Sequence, residues 1–163
     1  SMLLALNPNA QIVAYDPDPA RAEALPGRTE VATSVEQAVA GADIVISAAP
    51  IVKSPNPVIV PEMLADRHLL LPIDFDAVVT KSAVDNAEFF FTDNVAQFEH
   101  YRSIGHFRDW RAPQASVGDR VREQGDADRV VCCNLGVGAL DAAFAALVND
   151  AARHAGTGAV LTR

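Results

Sequence analysis

Apolar residues in this chain gather into short, β-branched runs, each of which stops at a polar or turn-forming residue. The clearest are QIVAYD (Gln11 to Asp16), ADIVISAAP (Ala42 to Pro50), HLLLPIDFD (His68 to Asp76) and EFFFTD (Glu88 to Asp93), with RVVCCN (Arg129 to Asn134) and the shorter TEVA (Thr29 to Ala32) beside them. Runs of this length without alternation are the signature of strands buried on both faces, as in parallel sheets. Helix-sized segments separate them. Pro19 opens PARAEAL, Ser34-x-x-Gln37 has the spacing of a capping box ahead of a stop at Gly41, and the stretch from Gly138 to Gly156 places Leu140, Phe144, Leu147, Val148 and Ala151 on one stripe. That stripe and the closing glycine mark the clearest helix of the chain.

Strand and helix in alternation predict an α/β fold, a Rossmann-type doubly wound parallel sheet, occupying residues 1–163 as a single domain. The chain starts in a helix-like segment, SMLLALNPN, that runs directly into QIVAYD. In such a fold this is the place of the first crossover helix. The expectation is therefore a domain lacking the first strand and the glycine-rich loop, and no G-x-G-x-x-G occurs anywhere in the sequence. The polar stretch from Ala112 to Gly125 reads as an excursion from the sheet.

Net charge narrows the partners. A formal charge of -8 disfavours nucleic acid and anionic membranes. The apolar runs are too short to span a bilayer, and no signal-type segment opens the chain, so the expectation is a soluble, cytoplasmic protein that acts on a small molecule and associates with itself. Adjacent Cys132 and Cys133 read as reduced core thiols. His68, His100, His106 and His154 lack metal-ligand spacing, so no metal site is expected. The aromatic and basic stretch EHYRSIGHFRDWR reads as a helix and loop docked on the sheet.

Ligands of open parallel sheets bind beyond the carboxyl ends of the strands, which directs attention to four places. Asp16 can accept hydrogen bonds from the ribose hydroxyls of NAD and repel the extra phosphate of NADP; it can also simply shape the Asp16-Pro17-Asp18-Pro19 turn, and Arg21 nearby reads as a solvated charge. Ser47, Ala48, Ala49 and Pro50 are small enough for a dinucleotide to approach the backbone, or form a plain strand exit. Asp74 and Asp76 project by period-two alternation to one side, where mutual repulsion suits one of them to general acid/base work; helix capping is the plainer alternative. Asn134 and Gly136 sit in the turn before the last helix, open either to a ligand or to an ordinary turn.

Taken together, ADIVISAAP, LLLPIDFDA, FFFTDNVAQFEHYRSIGHF and VVCCNLGVGALDAAFAALVNDAARHAGTGAVL resemble the ornithine cyclodeaminase and mu-crystallin family, in order and spacing, from about Gln11 onward. The resemblance implies an NAD(P)-dependent enzyme that oxidises an amino acid at Cα to an imine. In ornithine cyclodeaminases the side-chain amine then closes a ring with loss of ammonia and the hydride returns. Other members are ketimine reductases or amino-acid dehydrogenases, and the crystallin is a binding protein with little turnover. The family's acid/base aspartate falls on Asp74 by distance to the next strand, while Asp76 matches the sequence equally well. Asp16 matches the ribose-binding acid, and Asn134 and Gly136 the segment near the nicotinamide. A homodimer acting on an amino acid with NAD is thus expected. The family's substrate-binding and dimerisation portion and glycine fingerprint are not in this sequence, Ala77-Val78-Val79 replaces a usual glycine and proline, and Asn134 stands where a serine is common. The chain by itself is accordingly expected to be inactive.

Overall fold

Every strand expected from the apolar runs is present, and most are trimmed at their polar ends. The computed structural model describes residues 4–5, 7–107, 109–120 and 126–159. Strands β1 (Ile12–Ala14) and β2 (Thr29–Val31) pair in parallel. A second, five-stranded parallel sheet contains β3 (Ile44–Ser47), β4 (His68–Pro72), β5 (Phe89–Thr92), β6 (Ala115–Ser116) and β7 (Arg129–Cys133), in the order β3-β4-β7-β5-β6. The helices are α1 (Pro19–Glu23), α2 (Val35–Val39), α3 (Lys81–Asn86), α4 (Val95–Ser103), α5 (Val117–Arg120) and α6 (Gly138–Ala155). The helix expected at the start of the chain lies largely outside the described residues.

Local chemistry sets the helix boundaries. The Asp18, Ser34, Thr80 and Asn94 side chains each accept a backbone N–H in the first turn of the helix they precede. The capping box is close to reciprocal: Gln37 N–H donates to Ser34 Oγ at 3.1 Å, and the Gln37 side-chain oxygen accepts from Thr33 N–H at 2.8 Å. Gly156, at φ 64°, ends α6 in the left-handed conformation that glycine adopts most readily.

Strand pairing explains where the core sits. Val45, Leu70, Val131 and Phe90 are register partners across four strands and share one buried layer. Helices α3 and α4 cover that face through Ala83, Val84 and Phe98, while the 98–110 segment adds Phe107 and Trp110. Phe98 stacks on Phe107 at 4.5 Å between centroids and meets Phe90 edge-on at 5.5 Å. The segment read as a docked helix and loop therefore supplies much of the core. Arg102 donates to Trp110 O at 2.6 Å and Arg111 to Ala87 O at 2.8 Å.

The sheet is interrupted where the missing first strand was expected: β1 and β2 form their own pair, and no described residue supplies a strand between β1 and β3. One expectation needs correction. The 112–125 stretch is not all excursion, since Ala115–Ser116 pairs with β5 and Val117–Arg120 forms a helical turn; residues 121–125 lie outside the described set. The expected helix α6 is present, and its apolar stripe is exposed. No residue of α6 is buried, and Leu140, Phe144, Leu147 and Val148 are between 52 and 69 % exposed. Helical periodicity identified an apolar face without identifying what it packs against.

Candidate functional site

The carboxyl ends of β4, β5 and β7 converge, because β7 lies between the other two. The residues that follow these strands, with those after neighbouring β3, build one polar edge.

Asp74 and Asp76 separate at this edge. The alternation expected to send both to one side fails because the strand ends at Pro72 and the chain turns at Phe75, a non-glycine residue at φ 63°. Asp74 is 1 % exposed; it accepts Ser47 Oγ–H at 2.6 Å and Ala49 N–H at 3.0 Å, one on each carboxylate oxygen. It braces the end of β3 to the end of β4. Asp76 turns the other way: one oxygen accepts Phe107 N–H at 2.9 Å, and the other lies 3.7 Å from His106 Nδ1. Asp76 also reaches a cleft of about 380 Å³ that is walled in part by Pro55, Pro57 and Trp110. A larger hollow, about 980 Å³, lies beside the amino ends of β1 and β2.

Ser47 is buried and engaged with Asp74, whereas Ala48 and Pro50 are exposed and Ala49 half-buried, which leaves a low ridge of small residues at the end of β3. Asp16 is half-buried beyond β1. One of its oxygens accepts Asp18 N–H at 2.8 Å, so it does form the turn weighed against the ribose role, while the carboxylate retains acceptor capacity on its second oxygen. Arg21 is a surface charge beside Asp18, at 3.5 Å.

Asn134 and Gly136 are exposed in the loop leading from β7 to α6. Gly136 has φ 86°, and a Cβ placed there would meet nothing within 4 Å, so the side-chain direction at this position is open. Asp93 at the end of β5 holds this loop: it accepts Gly136 N–H at 2.7 Å and Leu135 N–H at 3.0 Å. Gln97 adds a bond to Gly136 O at 3.2 Å. Asp93 was not singled out among the candidate residues, although EFFFTD obeys the same strand-end rule that selected the other aspartates. Asp93→Ala is expected to cost about 1–3 kcal/mol by leaving these donors unpaired, and to speed amide hydrogen exchange at Leu135 and Gly136 above that of β7. Unchanged exchange at those two amides would contradict the anchoring role.

Both cysteines are free, Cys132 half-buried and Cys133 fully buried. The Cys132 thiol is pushed up to about 11, first by burial and then by the Asp93 charge, against a lowering bond with Asn134. Burial is also the main cause of a larger rise at Cys133. A raised thiol pKa favours the folded state below the unfolded value of 9.0, and this contribution is lost as pH climbs through about 11. Iodoacetamide labelling of native protein is accordingly expected to be slow at pH 8 and to rise about ten-fold per pH unit up to pH 10. Fast labelling at pH 8 would contradict the burial of both thiols.

Among the described residues no group of histidine, cysteine and carboxylate side chains is placed to hold a metal, and no helix is long and apolar enough to cross a membrane. The small residues 47–50 and the exposed 134–136 loop on this edge suit the close approach of a dinucleotide, Asp16 follows β1 in the separate two-stranded pair with one carboxylate oxygen outside its turn bond, and a glycine-rich diphosphate cradle is not contained in the sequence.

No family model and no curated protein matches the chain. Solved structures do. The crystal structure of CmnK aligns with TM-score 0.79 and 21 % identity, over 99 % of this chain and 52 % of that one. Δ1-Pyrroline-2-carboxylate reductase of Thermococcus litoralis, in complex with NADH and L-proline, aligns at 0.72 and 16 % identity over 98 % and 56 %. An archaeal alanine dehydrogenase dimer with bound NAD aligns at 0.69 and 16 % identity over 99 % and 56 %. The chain spans about half the length of these structures, and at such identities the likeness shows its fold, a Rossmann-type α/β fold with a parallel sheet.

Proposed function

We propose that this domain binds NAD across the carboxyl edge of its strands and serves an enzyme that interconverts an amino acid and its imine. The observation that carries the reading is the divergence of the two strand-end aspartates, Asp74 buried as a brace and Asp76 open to a cleft. Support also comes from fold neighbours described with NADH and L-proline or with NAD.

In this reading Asp16 would hold the adenosine ribose, Ser47, Ala48, Ala49 and Pro50 would lie along the dinucleotide, and Asn134 and Gly136 would lie near the nicotinamide. NAD would supply the hydride acceptor. Asp76 would take a proton from the substrate amine on oxidation to the imine and return it in the reverse direction. Asp74 keeps the ends of β3 and β4 in register beneath that step. The finer version, taken from the sequence resemblance, adds ring closure of ornithine and loss of ammonia before the hydride comes back. The exposed stripe on α6 favours association of the protein with a second copy. The test, on the full-length protein that contains this domain, supplies NAD with L-alanine or L-ornithine and identifies products by mass spectrometry; NADH accumulates only in the dehydrogenase case, because cyclisation of ornithine returns the hydride. Proline and ammonia from ornithine support the cyclising version, and a keto acid from alanine supports the simple dehydrogenase. No dinucleotide binding and no turnover with either would end the proposal.

A further inference from the structure

We propose that α6 is exchanged between two copies of this chain, the helix of each lying on the uncovered face of the five-stranded sheet of the other. The inference does not depend on the cofactor reading above.

A parallel sheet is ordinarily covered on both faces, because its crossover helices pack on either side. Here Val45, Leu70, Val131 and Phe90 lie on the face beneath α3 and α4. The other face carries Ile44, Leu69 and Val130, register partners across β3, β4 and β7, with Ile46, Leu71 and Cys132 two residues further along the same strands. Ile44 and Ile46 are 49 and 47 % exposed, and the other four are half-buried. Toward β5 the Arg120 guanidinium lies over Phe89 at 4.5 Å, so the open part is the one formed by β3, β4 and β7. None of its six side chains is charged.

The second uncovered surface is α6. Its 18 residues include a run of consecutive apolar ones, Ala142 to Val148, long enough to occupy every side of the helix. A helix that is apolar all round belongs in a protein interior. Every residue of α6 except Ala152 is nonetheless exposed. The loop before it holds that arrangement: Asp93 and Gln97 tie the 135–136 backbone to the end of β5 and to α4, and Val137 alone separates this anchor from the first residue of the helix. The stripe is therefore left for another molecule, and a second copy offers an uncharged apolar face to receive it. The areas agree. At about 27 Å long and about 10 Å across, α6 laid on a sheet removes about 400 Å² of helix surface and a similar area of sheet. In a reciprocal exchange each copy contributes one helix and one face, about 800 Å² per partner, which is the size of a stable interface.

The experiment measures mass by sedimentation equilibrium for the protein, its Phe144→Glu variant and its Ile46→Glu variant, each alone and the two variants in equimolar mixture. Both positions are exposed in the single copy, so neither substitution disturbs its fold. The unsubstituted protein is expected to be dimeric at micromolar concentration and each variant alone monomeric, its Kd raised at least about 100-fold by a carboxylate buried at the contact. On mixing, dimer mass should reappear, because the heterodimer keeps one unsubstituted helix on one unsubstituted face, whereas a homodimer of either variant keeps none. A monomeric unsubstituted protein overturns the proposal, whether α6 then covers its own sheet or is covered by a segment outside this chain. A dimer lost with Phe144→Glu but kept with Ile46→Glu overturns it in favour of a helix-to-helix pair, and variants that fail to recover mass on mixing overturn the reciprocal exchange.

Discussion

Phe98→Ala is expected to destabilise the protein by about 3–5 kcal/mol, the usual cost of removing a fully buried aromatic ring. Phe98 is completely buried, stacked on Phe107, edge-on to Phe90 and covered by the Arg102 guanidinium at 5.2 Å. Removing the ring leaves a cavity between α4 and the sheet that the neighbouring rings can refill only by leaving their own contacts. For a domain of this size that corresponds to a melting temperature lower by roughly 10 °C or more. Urea unfolding measures it, and a loss under 1 kcal/mol would mean that the aromatic cluster is not a cooperative part of the core. The effect should extend to the site, because Phe107, which Phe98 supports, donates the backbone N–H that holds Asp76.

The second large effect belongs to the chemistry. Asp76→Asn is expected to lower amino-acid-dependent NAD reduction by about 10²–10⁴-fold, the usual contribution of a positioned acid/base, with little loss of stability. The asparagine oxygen can still accept Phe107 N–H while the side chain no longer exchanges a proton. Asp74→Asn separates the two roles. Asp74 accepts from both Ser47 and Ala49, so turning one carboxylate oxygen into an NH₂ donor opposes one of those donors, and the main loss should appear in unfolding experiments. If Asp76→Asn keeps full turnover and Asp74→Asn abolishes it in a folded protein, the assignment of the two aspartates must be exchanged.

Much of this was legible from the order of residues. Strands and their parallel arrangement followed from short apolar runs, and Ser34, Gln37 and Gly156 marked helix ends by their own hydrogen bonds and backbone freedom. The aromatic stretch around Phe98, Phe107 and Trp110 was read as docked on the sheet, and packs there. What failed needed three dimensions. The two-residue spacing of Asp74 and Asp76 implied a common side, but Phe75 adopts a positive φ that nothing in its own side chain announces. Asp93 obeyed the strand-end rule, yet its role appears only once the 135–136 backbone, more than forty residues later, is brought beside it. Leu140, Phe144, Leu147 and Val148 keep their helical spacing and stand exposed, since periodicity specifies a face and leaves its partner open.

The most direct test of the central claim, a dinucleotide seat along the strands' carboxyl edge, is titration of the protein with NADH while backbone amide shifts are followed by NMR. The account predicts saturable shifts at Asp16, Ala48, Ala49, Asn134 and Gly136, binding weakened about ten-fold or more by Asp16→Ala, and weaker binding of NADPH than of NADH by the unsubstituted protein. Shifts confined to the hollow at the amino ends of β1 and β2, or NADH affinity indifferent to Asp16→Ala, would contradict it.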